Sequence, residues 1–88
     1  MVYKTVFTRD EVIDELYVEY YDDGQDPVYL KVGNETDEVL KVYLLDGEYC
    51  LDVIDTYNGL IVNSLEYNDI DELVQDVIDV YELEDYIA

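Results

Sequence analysis

The alternation of apolar and polar positions divides the chain into two helical stretches around an extended middle. In Asn68–Tyr86, NDIDELVQDVIDVYELEDY, the residues Ile70, Leu73, Val74, Val77, Ile78 and Tyr81 recur at three- and four-residue intervals, so they share one stripe of an α-helix. Such a stripe faces a core. Asn68 can cap the first turn, and Asp69, Asp71 and Glu72 sit where the helix dipole favours negative charge. Near the start of the chain, Thr8-Arg9-Asp10-Glu11 has the form of a capping box. Val12, Ile13, Leu16, Tyr17 and Tyr20 follow at helical spacing, opposite Asp10, Glu11, Asp14, Glu15 and Glu19. A strand over Leu16–Tyr21 is the competing reading, given its Tyr and Val content. Val2–Phe7 is short, β-branched and aromatic, and reads as a strand or a docked tail.

Between the helical stretches the period shortens to two. Asp22–Pro27 is a loop, Val28–Val32 a strand, Gly33–Glu38 a loop and Val39–Leu45 a second strand. Asp46-Gly47 then signals a two-residue hairpin that sets Leu44 opposite Tyr49, Val42 opposite Leu51, Leu40 opposite Val53 and, on the other face, Lys41 opposite Asp52. Asn58-Gly59 marks a further hairpin between Tyr49–Thr56 and Leu60–Glu66. A two-residue turn there pairs Val53 with Ser64 and puts Asp55 on the apolar face, whereas a three-residue turn with a bulge pairs Val53 with Asn63. The fold expected over residues 1–88 is a single acidic α+β domain: an antiparallel four-stranded meander with an N-terminal and a C-terminal helix on one face. Val39, Tyr43, Leu45, Cys50 and Ile54 fall on the other sheet face, an apolar patch able to pair two chains.

Charge changes the picture. Twenty-four acids against Lys4, Arg9, Lys31 and Lys41 give a net charge of −20, although solubility in a small domain asks for only about 2 to 8. With 50 % hydrophobic residues this is not a disordered acidic tail. The field repels nucleic acid and anionic membrane and draws in basic surfaces. Asn68–Tyr86 alone holds eight acids and no base, and Asp79, Glu82, Glu84 and Asp85 crowd the end where a helix dipole prefers cations. Glu72/Asp76, Asp76/Asp79, Asp79/Glu82 and Glu82/Asp85 are like-charge neighbours, each destabilising a helix by about 0.2–0.5 kcal/mol. Acids placed against local stability point to a positively charged partner.

The chain lacks histidine, and Cys50 has no neighbouring base to activate it. No Gly-rich phosphate loop or Cys/His cluster occurs, so neither catalysis nor a cofactor is expected. Asp22, Asp23 and Asp26 share a loop, and Asn68, Asp69, Asp71 and Glu72 cluster at a helix start, yet neither group has EF-hand spacing; cation binding from charge density alone is expected, without a dedicated metal site. A lone cysteine, with no leader or membrane-length apolar run, suits the cytoplasm. Of the tyrosines, Tyr17, Tyr20, Tyr43, Tyr49 and Tyr81 lie on stripes that suit a core. Tyr21, Tyr57, Tyr67 and Tyr86 fit no stripe and lie beside acids, as interface anchors would.

In size, acidity, scarcity of histidine and spread of acids over helix faces, the chain resembles phage-encoded DNA mimics: anti-CRISPR proteins, anti-restriction proteins and inhibitors of uracil-DNA glycosylase. The resemblance implies a protein that acts in the host cytoplasm by occupying the basic groove of a nucleic-acid-binding defence or repair enzyme, such as a nuclease. Independently of it, acids at i+3 and i+4 lie about 5–6 Å apart on a helix, near the spacing of phosphates along a strand. Asp10, Asp14, Glu15 and Glu19 form one candidate row and Asp76, Asp79, Glu82 and Asp85 the other, with Glu84, Tyr67 and Tyr86 beside the second. Three rivals share the charge: an immunity protein neutralising a basic nuclease toxin, a halophilic protein, and an acidic homo-oligomeric structural or cation-binding protein.

Overall fold

In a computed structural model, which describes residues 3–16, 27–34 and 36–83, two helices cover one face of a five-stranded mixed sheet. The elements are β1 (Lys4–Val6), α1 (Arg9–Leu16), β2 (Val28–Val32), β3 (Glu38–Leu45), β4 (Glu48–Asp55), β5 (Ile61–Tyr67) and α2 (Ile70–Val80), and the strands lie side by side in chain order. The four-stranded antiparallel meander is present as β2 to β5. It is extended by β1, which pairs parallel with β2 through Lys4 opposite Leu30 and Val6 opposite Val32. Three residues are too few to show a period, and a parallel partner lies beyond a crossover rather than a turn. Fully buried Val6 and the bond from the Gly33 N–H to the Val6 carbonyl (2.7 Å) fix it there.

The capping box starts α1. Thr8 Oγ1 accepts the Glu11 N–H at 3.2 Å, and the Glu11 carboxylate reaches back to the Phe7 N–H at 3.1 Å, one residue further than expected. The helix runs to Leu16; the choice between helix and strand for the rest of Leu16–Tyr21 lies outside the described residues, as does the Asp22–Asp26 loop.

The hairpin at Asp46-Gly47 follows the expected register residue for residue, from Leu44 opposite Tyr49 to Lys41 opposite Asp52. Both turn residues have positive φ, 52° and 81°, as a type I′ turn requires. The second hairpin takes the bulged register, with Val53 opposite Asn63 and Ile54 opposite Ile61. Its connection, however, runs from Thr56 to Gly59 and is closed by the Asp55 N–H on the Leu60 carbonyl (2.9 Å). Asp55 and Asn58 hold it open by accepting the N–H groups of Tyr57 and Leu60, which replaces the tight two-residue turn suggested by Asn58-Gly59.

Helix α2 is shorter than its pattern. Its N-cap is Asp69, not Asn68: the Asp69 carboxylate accepts the Asp71 N–H at 2.9 Å, adding charge–dipole attraction that an Asn amide lacks. The helix ends at Val80, because Glu82 adopts left-handed φ (55°) and donates its N–H to the Asp79 carbonyl at 3.2 Å. Leu83 then folds back into the core beside Ile78, the arrangement of a Schellman end with glutamate where glycine is preferred. Leu73, Val74, Val77 and Ile78 are buried; at about 1.5–3 kcal/mol each they outweigh the repulsion among the helix's acids several-fold.

The core lies between the helices and the inner sheet face, where Leu30, Leu40, Val42 and Leu51 meet Val12, Leu16 and the α2 stripe. The outer face is not the exposed apolar patch the sequence suggested: Val39, Cys50 and Ile54 are buried, Tyr43 is half-buried, and only Leu45 of that set is exposed.

Candidate acidic interface on the helix face

The helices pack against each other, α1 over β2 and α2 over β4 and β5, so their outward faces adjoin on one side of the molecule. On α1, Asp10 and Asp14 are exposed one turn apart. Glu15 leaves the row, because it is half-buried and its carboxylate meets Lys4 Nζ at 3.1 Å. Glu11 is engaged in the capping box. On α2, Asp71, Glu72, Asp76 and Asp79 are exposed, and the helix carries no base.

Neutral donors hold the last two acids of α2. Tyr67 Oη donates to Asp76 Oδ2 at 2.6 Å, and Gln75 Nε2 donates to Asp79 Oδ1 at 3.0 Å. Hydrogen bonds of this kind fix a carboxylate while leaving its charge in place. Burial, and then the Asp76 carboxylate it serves, push the Tyr67 phenol well above its ordinary range. Tyr67 is therefore not an exposed anchor: the bulge sets it opposite Tyr49, half-buried on the helix side of the sheet. That placement was available in the bulged register of the second hairpin. Tyr57, at 83 % exposure in the hairpin loop, is the anchor-like ring among the described tyrosines.

Glu82 is displaced from the second row. The helix stops two residues before it, so the Asp79/Glu82 pair does not continue the helical spacing. Glu19, Glu84, Asp85, Tyr86 and Tyr21 lie outside the described residues. Among the described residues, no three acids or cysteines converge as metal ligands. At the α2 start, Asp69 is engaged by the backbone of its own helix.

Two of the four cations stand on the sheet, Lys31 on β2 and Lys41 on β3. Lys41 Nζ lies 5.1 Å from the centre of the Tyr43 ring and Lys31 Nζ 6.0 Å from that of Tyr3. The outer sheet face holds a cluster that sequence reasoning missed. Asp52, 4 % exposed, accepts Tyr43 Oη at 3.1 Å and Ser64 Oγ at 2.9 Å. Burial and the bond to Asp52 push the Tyr43 phenol up to about 12. Burial, with Glu66 and Asp52 nearby, likewise raises the Cys50 thiol, which keeps it protonated near neutral pH. Glu48 is raised by its hydrogen bond with Glu66 and by that neighbour's charge. The alternation of β3 and β4 put Asp52 on the outer face in advance, but nothing in it signalled burial.

No family model, curated protein or solved structure matches the chain. No helix among the described residues is long and apolar enough to cross a membrane.

Proposed function

We propose that the protein is a DNA-mimic inhibitor that binds the basic nucleic-acid groove of a host defence or repair enzyme, as anti-CRISPR and anti-restriction proteins do, and blocks access of DNA to it. The observation that supports this reading is the pair of adjoining helix faces, with Asp10 and Asp14 on one and Asp71, Glu72, Asp76 and Asp79 on the other, the second free of any base. Acids one turn apart stand about 5–6 Å from each other, and two parallel rows present a charge distribution like that of two phosphate backbones. Tyr67 and Gln75 anchor Asp76 and Asp79 without neutralising them, so less side-chain freedom is lost on docking. The inhibitor's partner is a basic protein, not nucleic acid itself, since the net charge of −20 repels polyanions.

The test is affinity capture from a bacterial lysate, followed by competition on the captured enzyme. Duplex DNA should displace the inhibitor, and binding should weaken steeply between about 0.05 and 0.5 M salt, over which screening collapses the attraction between charged surfaces. Binding that ignores both competitor DNA and half-molar salt overturns the proposal.

A further inference from the structure

The described part of the molecule gathers exposed apolar side chains in one place. Val62 and Leu65 on β5 and Val80 at the end of α2 are exposed, from 39 % at Leu65 to 73 % at Val80. Between them runs a groove of ≈ 380 Å³. Its floor is Leu40, Leu51 and Val53, its helix wall Val77 and Val80, and its strand wall Val62 and Leu65. Carboxylates of Glu38 and Asp76 stand at its margin.

The strand beside the groove is also the last of its sheet. Natural edge strands are commonly guarded by lysine or proline, and Ile61–Tyr67 contains neither; one bulge beside Val62 is its irregularity. The Ser64 N–H donates to the side chain of Asn63, at Oδ1, at 3.0 Å. On the other side of β5 from the groove stands exposed Glu66, with Glu48 on the neighbouring strand β4.

We propose that β5 and this groove form a docking site, bordering the acidic helix face at Asp76, for an extended segment of a partner protein that adds as a sixth strand. Strand addition supplies the backbone hydrogen bonds, and alternate side chains then face opposite sides of the sheet. Residues on the Leu65 side enter the apolar groove, so they are Val, Leu or Ile. Those between them meet Glu66 and Glu48, so they are Lys or Arg. A second copy of this chain does not fit, because it brings a further −20 of charge. The inference stands whether or not the helix face imitates DNA.

The test uses the free protein and a blocked heptapeptide alternating valine with lysine. It should bind one-to-one by calorimetry, and hydrogen exchange should slow at residues 62–66. A peptide with serine in place of valine should bind about tenfold more weakly, as loss of one or two buried apolar side chains implies, and one with glutamate in place of lysine should not bind. Val62→Ser and Val80→Ser, both at exposed positions, should each weaken the valine–lysine peptide about tenfold while the circular dichroism of the free protein is unchanged. Equal binding of the serine–lysine peptide would show charge alone at work and overturn the proposal. So would protection on α1 and α2 instead of β5, or a free protein that light scattering shows to be a dimer closed over β5.

Discussion

Helix α2 and strand β5 are neighbours in sequence and in space, and they present opposite surfaces. The helix buries its apolar stripe and shows carboxylates; the strand leaves Ile61, Val62 and Leu65 open and carries one acid, Glu66. In the helix, apolar area stabilises the fold and charge opposes it. In the strand, apolar area has little to do with stability and is free to serve another surface. A hydrophobic residue in this chain is thus informative only when its face is known.

The largest expected effect is on the stability side of that contrast. Leu73→Ala should destabilise the protein by about 2–5 kcal/mol in chemical denaturation, because fully buried Leu73 leaves a cavity. Val62→Ala should change stability by no more than about 0.5 kcal/mol. Comparable losses would erase the distinction between the two elements. Glu82→Gly comes next: glycine removes the left-handed strain and one acid from the C-terminal cap, and should raise stability by about 1 kcal/mol. A loss in the same denaturation experiment would mean the Glu82 side chain holds the helix end.

The tyrosines sharpen the contrast at alkaline pH. Burial, and then the carboxylate to which each donates, raise the folded pKa values of Tyr43 and Tyr67, Tyr43 to about 12. A raised folded pKa means the native state holds the proton more tightly; the stabilisation is present below about pH 10, the ordinary phenol value, and is lost as pH climbs through the folded pKa. Phenolate absorbance should show late titration steps, with Tyr67→Phe removing one of them. The smallest effect concerns the acids themselves. Asp76→Asn with Asp79→Asn should leave stability unchanged or raise it by a few tenths of a kcal/mol in melts at about 0.01 M NaCl, and the gain should vanish near 0.5 M as screening takes over. A marked loss would make the carboxylates part of the fold rather than of its surface.

How much was legible in the sequence follows from how many levels agreed. At Asp46-Gly47, turn chemistry, alternation and cross-strand pairing all require one register, and the hairpin has it. The α2 stripe was readable for the same reason, but not its end, because a left-handed glutamate carries none of glycine's signal. The β1 strand was unreadable in its pairing, since three residues gain their meaning only from a strand beyond α1. In the candidate site, exposure of Asp10, Asp14, Asp76 and Asp79 followed from the helical period. The loss of Glu15 to Lys4 and the grip of Tyr67 on Asp76 depend on contacts between elements, which no local pattern records.

The Tyr43–Asp52–Ser64 cluster takes one residue from each of β3, β4 and β5. Sliding any of these strands by one position flips its side chains to the opposite face, which would carry Asp52 toward Leu40 and Val42 or take away its hydroxyl partners. A buried carboxylate without donors costs several kcal/mol, more than any single apolar contact in this sheet can return. Asp52 therefore acts as a registry pin: shifted pairings of the meander are penalised as they form, and the one alignment that remains leaves β5 outermost.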